Sequence, residues 1–129
     1  MLLPTRILLV DDEEAIRNSL AQFLEDYDFD VSTAGSGEEA LEFLLKRPYD
    51  LGIIDLRLPG MNGEALILRA HEMQPAMVFL VHTGSACYMP SEQLRQIGID
   101  SEHVIPKPVA DMGLFVKEIE KLVGGGQEG

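Results

Sequence analysis

Five short runs of apolar, β-prone residues recur along the chain: Ile7–Val10, Phe29–Thr33, Leu51–Ile54, Met77–Val81 and His103–Ile105. Successive runs begin about 22 to 26 residues apart, which leaves room for one helix and two loops between neighbours. The first, third and fourth are apolar nearly throughout instead of alternating, the pattern of strands covered on both faces of a parallel sheet. A repeated βα unit with helices on both sides of the sheet is the architecture this predicts.

The intervening segments carry helical spacing. Ile16, Leu20, Phe23 and Tyr27 trace one face of a first helix, with Arg17, Asn18, Gln22 and Glu25 elsewhere. Ser36 followed three residues later by Glu39 has the spacing of a capping box. It opens a second helix that carries Ala40, Leu41, Leu44 and Leu45 and stops at Lys46-Arg47-Pro48. A third helix runs from about Glu64 to before Pro75, and a short one covers Ser91–Ile97. The last opens at Asp111 as N-cap and carries Phe115, Ile119 and Leu122.

Composition narrows the class. At 129 residues, with 46% hydrophobic and 25% charged residues, one globular domain with its own core is expected, over residues 1–123. Residues 124–129, Gly-Gly-Gly-Gln-Glu-Gly, read as a flexible tail, a linker or an expression scar. Ten basic against 22 acidic residues give a net charge of −12, a field that repels nucleic-acid phosphates and anionic lipid. No nucleic acid or membrane partner is therefore expected. A lone Cys87 and the lack of a signal-peptide pattern point to the cytoplasm.

In a parallel sheet the strand C-termini emerge at one edge, and ligands bind there. At that edge this chain places Asp11 and Asp12 after the first strand, Asp55 after the third, Thr83 after the fourth and Lys107 after the fifth. Three clustered carboxylates repel one another, and a divalent cation relieves that repulsion. Hard oxygen donors without nearby Cys or His favour Mg²⁺, or Mn²⁺, over zinc. Phosphoryl transfer needs a nucleophile, a metal and donors for the phosphoryl oxygens. Asp55 is the candidate nucleophile, Asp11 and Asp12 the metal ligands, and Thr83 and Lys107 the oxygen donors.

These residues resemble the receiver domain of two-component response regulators. The resemblance rests on Asp11-Asp12 after an apolar strand, on Ile53-Ile54-Asp55-Leu56-Arg57-Leu58-Pro59-Gly60-Met61-Asn62-Gly63, on Thr83-Gly84 and on Lys107-Pro108, in that order, over about residues 5–123. It implies a flavodoxin-like, doubly wound α/β fold, (βα)5, with a five-stranded parallel sheet of order 2-1-3-4-5. That order makes strand five an edge, where Pro106 is tolerated. The resemblance also implies phosphorylation of Asp55 by a histidine kinase or histidine phosphotransfer protein. With it come a metal contact from the Arg57 backbone carbonyl and a cis peptide at Pro108. Signalling to a C-terminal output domain or downstream protein, and a homodimer, complete the implied set. Such a domain is not an enzyme beyond catalysing its own phosphorylation and dephosphorylation.

The chain departs from the family at Val104, which stands where the switch aromatic is usual, and in a longer stretch between Thr83 and Lys107. Glu13 and Glu14 read as first-turn acids of the first helix. Arg57 reads as an exposed cation at the site mouth, His82 as a packed strand histidine, His103 as a strand residue facing away from Val104, and Pro59, Gly60 and Gly63 as turn makers. Two alternatives stand beside the switch: a docking module independent of phosphorylation, and an aspartyl-nucleophile phosphohydrolase. The latter usually carries a second aspartate where this chain has Arg57.

Overall fold

The computed structural model describes residues 3–124. Five parallel strands, β1 (Arg6–Val10), β2 (Asp30–Ala34), β3 (Leu51–Asp55), β4 (Val78–Thr83) and β5 (Val104–Pro106), form one sheet in the order β2-β1-β3-β4-β5. Helices α1 (Glu14–Glu25), α2 (Gly37–Lys46), α3 (Gly63–Met73) and α4 (Glu92–Gln96) connect them, and α5 (Gly113–Ile119) follows β5. The expected flavodoxin-like α/β arrangement and its strand order are present.

The central strands explain the unbroken apolar runs. In β1, Ile7 and Leu9 turn to one face of the sheet, where they meet Leu20 and Leu24 of α1 and Phe115 and Ile119 of α5. Leu8 and Val10 turn to the other, toward Ala40 and Leu44 of α2, Leu66 and Ala70 of α3 and Leu94 of α4. Alternate side chains of a strand face opposite ways, so a strand with two helical layers needs apolar residues at every position. Edge strand β2 is only half-buried over most of its length.

Several local readings change. Tyr27 lies beyond the end of α1 and is exposed, tilted against Phe23, because the chain turns at Asp28 with φ of 69°. Leu45 is 78% exposed; it sits on the solvent side of α2 next to Leu44, which takes the core position. The Ser36 hydroxyl accepts the Glu39 N–H at 3.2 Å as the capping box requires, but Glu39 Oε1 reaches back one residue further, to the Gly35 N–H at 2.8 Å. His103 is not in a strand. It ends a 3-10 turn, Ser101–His103, where its Nδ1 accepts the Asp100 N–H at 3.1 Å, and β5 begins after it. Asp111 Oδ1 accepts the Gly113 N–H at 2.9 Å just ahead of α5, with Met112 as the boundary residue. Leu122 falls in a π-helical turn, Glu120–Gly124, which continues α5. Residues 125–129 of the expected tail lie outside the described residues. Among the described residues, no helix is long and apolar enough to cross a membrane.

Candidate functional site

The strand ends bring the sequence-selected residues to one edge. Asp11 directly follows β1, Asp55 ends β3, Thr83 ends β4 and Lys107 directly follows β5. Short local bonds fix each loop. Asp11 Oδ1 accepts the Glu13 N–H at 2.9 Å, which turns the chain into α1, and the Arg17 guanidinium donates to the Asp11 carbonyl at 2.7 Å. The Lys107 N–H donates to the Thr83 carbonyl at 2.8 Å, and the Lys107–Pro108 peptide is cis. Asn62 caps α3 by accepting the Ala65 N–H at 2.8 Å, and Gly63 donates its N–H to the Leu56 carbonyl, seating the helix start on the end of β3.

Lys107 is the centre of the charge pattern. Its ammonium lies 3.0 Å from Asp11 Oδ2, 3.1 Å from Asp55 Oδ2 and 3.1 Å from Glu13 Oε1. Burial works against that charge, yet the contacts with Asp11, Glu13 and Asp55 outweigh it and hold the amine above its ordinary pKa. Asp55 is buried, and its pKa is raised. Desolvation is the main cause and the Asp11 charge adds to it, against the Arg57 N–H at 3.2 Å and Lys107, which lower it.

A divalent cation fits this donor set. Asp11, Asp12, Glu13 and Asp55 each offer one carboxylate oxygen, and all four atoms lie within 4.8 Å of one another. Asp11 Oδ2 is buried, and the Lys107 ammonium lies 3.0 Å from it as an ion-pair partner. The donors are hard oxygens, the set that suits Mg²⁺ or a similar cation. Asp12, Glu13 and Asp55 open onto a cleft of about 380 Å³ that Arg57, Gly84 and Lys107 also line, with Asp11 buried behind them.

Thr83 is buried, and its hydroxyl oxygen accepts the Ser85 N–H at 3.1 Å, which leaves the hydroxyl proton free to donate. The Arg57 side chain is exposed at the cleft. Val104 is half-buried against the core on the α2–α4 side of the sheet. Tyr88 packs against that same core and donates its hydroxyl to Glu64 of α3.

Glu13 is the residue that sequence reasoning missed. Its backbone starts α1, as a first-turn acid would, but its carboxylate reaches Lys107 across 94 positions of chain. Its place beside Asp11 and Asp12 in the same loop was the available signal.

His82 is packed within β4, 3% exposed, edge-on to Phe115 with ring centroids 5.0 Å apart. Neither ring nitrogen has a hydrogen-bond partner. Burial first, then the Lys107 charge, push its pKa down to about 4 from an ordinary 6.5. The unfolded chain therefore binds the extra proton between these limits while the folded chain does not. Stability rises from pH 4 to pH 6.5 by about 3 kcal/mol through this one residue. Urea melts of the native chain and His82→Phe at the two pH values measure it as the difference in their slopes. Equal slopes contradict the assignment.

Comparison with known proteins agrees with this geometry. The curated VanRB regulatory protein of Enterococcus faecalis is 31% identical over 120 residues, covering 92% of this chain and 52% of that protein. The chain spans about half the length, or less, of the curated relatives it matches. Among solved structures, a CheY-like receiver domain protein of Methanospirillum hungatei has a TM-score of 0.78 at 32% identity, with 98% of this chain and 100% of that one covered. The response regulator TrrA of Thermotoga maritima, solved with Mg²⁺ and BeF, has a TM-score of 0.78 at 27% identity, with 92% and 98% covered. The family model described as the response regulator receiver domain matches residues 7–119. Five parallel strands in the order 2-1-3-4-5, an acidic cleft at their C-terminal ends and this match place the chain in the response regulator receiver domain family.

Proposed function

We propose that this chain is a phosphorylation switch whose acceptor is Asp55. The observation that carries the reading is the setting of that carboxylate: buried, 3.1 Å from the Lys107 ammonium, grouped with Asp11, Asp12 and Glu13, and open to the cleft. An oxygen of Asp55 attacks phosphorus, the bond from phosphorus to the donor's leaving group breaks, and an aspartyl phosphate results. The carboxylate is already deprotonated, so no general base is required. The Lys107 ammonium and the Thr83 hydroxyl donate to two phosphoryl oxygens, and the Arg57 N–H holds the Asp55 oxygen that does not react. Asp11, Asp12, Asp55 and the Arg57 backbone carbonyl would hold Mg²⁺, or Mn²⁺, which would neutralise charge on the phosphoryl oxygens. TrrA, with its Mg²⁺ and BeF, supports this assignment by likeness.

The Thr83 hydroxyl that donates to a phosphoryl oxygen also holds the Ser85 N–H, so a shift of this side chain toward the phosphoryl group carries the loop toward α4 with it and biases that face between two arrangements. A histidine kinase or histidine phosphotransfer protein supplies the phosphoryl group, and an output domain, a downstream protein or a second copy reads the changed face. The setting is cytoplasmic, residues 1–123 form the receiver, and the chain catalyses no reaction beyond its own loading and unloading.

Incubated with Mg²⁺ and a small acyl phosphate, the native chain gains the mass of one phosphoryl group. Chelation of the cation slows this on the order of 100-fold. An unchanged mass with Mg²⁺ present defeats the reading.

A further inference from the structure

The Lys107 ammonium has three N–H groups and three carboxylates around it, at 3.0 Å from Asp11 Oδ2, 3.1 Å from Asp55 Oδ2 and 3.1 Å from Glu13 Oε1. These partners are not equivalent. Asp11 and Asp55 are buried and belong to the set that would hold the cation, whereas Glu13 is exposed and the chemistry proposed above gives it no part. Its backbone is fixed, because the Glu13 N–H donates to Asp11 Oδ1 at 2.9 Å. Glu13 and Lys107 together form the ridge between the acidic cleft and a neighbouring cavity of about 500 Å³, since both residues line both spaces. Beyond the ridge the walls are Ile16 and Leu20 of α1 and Met112 and Phe115 of α5, and among the described residues Glu13 is the one acid lining that cavity.

We infer that Glu13 is a positioning residue for Lys107: it keeps the ammonium at the cleft when a divalent cation takes up Asp11 and Asp55. The inference rests on the reading of Asp55 as acceptor and Lys107 as a donor to its phosphoryl oxygens. A carboxylate oxygen that faces a dication has less attraction left for a lysine, and the dication repels the ammonium directly. Glu13 then remains as the anion that Lys107 does not share, and its attraction offsets the repulsion. Without it, an ammonium leaving the two aspartates finds apolar walls on one side and solvent on the other.

The test is ¹H–¹⁵N NMR of the lysine ammonium groups in the unphosphorylated native chain, in Glu13→Gln and in Glu14→Gln, each titrated with Mg²⁺. A paired, sheltered ammonium gives a resolved correlation, and the Lys107 side chain is only 12% exposed. Lys107→Arg, which removes that correlation, assigns it. The native chain is expected to keep it from zero to saturating Mg²⁺. Glu13→Gln shows it without Mg²⁺, when Asp11 and Asp55 still hold the ammonium, and loses it as Mg²⁺ saturates. Glu14→Gln, which removes the same charge one residue on, at the exposed start of α1, behaves as the native chain does. At saturating Mg²⁺, loading from a small acyl phosphate slows about tenfold in Glu13→Gln and less than twofold in Glu14→Gln.

A correlation that survives saturating Mg²⁺ in Glu13→Gln overturns the inference, as does one already missing from that variant without Mg²⁺. So does its absence from the native chain or its loss there on adding Mg²⁺, which puts Glu13 on the cation, and so does equal loading by the two glutamine variants. Failure of the underlying reading looks different. A native chain that shows no Mg²⁺-dependent shift, or gains no phosphoryl mass, defeats the reading and the inference together, whereas a native chain that does both while Glu13→Gln matches it defeats the inference alone.

Discussion

Asp55→Asn gains no mass from an acyl phosphate under conditions that load the native chain fully. The amide keeps the shape of the side chain and an oxygen for the Arg57 N–H, but it has no anionic oxygen to attack phosphorus. The other three acids do not replace it. Asp11 is 1% exposed and its Oδ1 is engaged by the Glu13 N–H, while Asp12 and Glu13 are exposed on the loop leading into α1. The fold survives the change. The raised pKa of Asp55 means that its charged form is disfavoured by the folded surroundings, and Lys107 keeps Asp11 and Glu13 as partners. The expected cost is within about 1 kcal/mol. Intact-mass spectrometry and a urea melt on the same sample measure both. An adduct as abundant as on the native chain moves the acceptor to another residue.

Gly63→Ala destabilises the domain by about 3 kcal/mol, equivalent to about 10 °C in Tm. A Cβ at this position meets the Asp55 carbonyl oxygen at 2.3 Å and the Leu56 Cα at 2.8 Å. Both are backbone atoms, so no side chain can swing aside to make room. Relief requires the start of α3 to lift from the end of β3, which strains the 2.8 Å bond from the Gly63 N–H to the Leu56 carbonyl. Because the atom struck belongs to Asp55 itself, loading by acyl phosphate slows along with the loss of stability. A melting curve within about 1 °C of native contradicts the argument. Gly84, in the open cleft, is the control: a Cβ there meets nothing within 4 Å.

The parts legible in the sequence were those set by periodicity and by strand ends. Unbroken apolar runs marked β1, β3 and β4 because a doubly covered strand leaves no polar position, and parallel direction then fixed which residues share an edge. Strand order came from resemblance, since nothing in the spacing distinguishes the position of β2 from that of β4. The misplaced residues are those whose surroundings depend on distant chain. Leu44 and Leu45 are chemically alike, and only the angle of α2 on the sheet decides which is buried. Glu13 satisfies a helix-start rule locally while its carboxylate serves Lys107, so a correct local reading hid a second role. His103 looked like part of an apolar run but closes a turn with Asp100, a bond that periodicity does not register.

The short fifth strand has a consequence for how copies of this molecule can meet. Its three residues end in exposed Pro106, which has no N–H to offer an incoming backbone. A neighbour approaching that border finds too few donors and acceptors to extend the ladder. Self-association on this flank must therefore run through side chains, which can release as well as grip, and growth into an open-ended fibre is blocked there from the start.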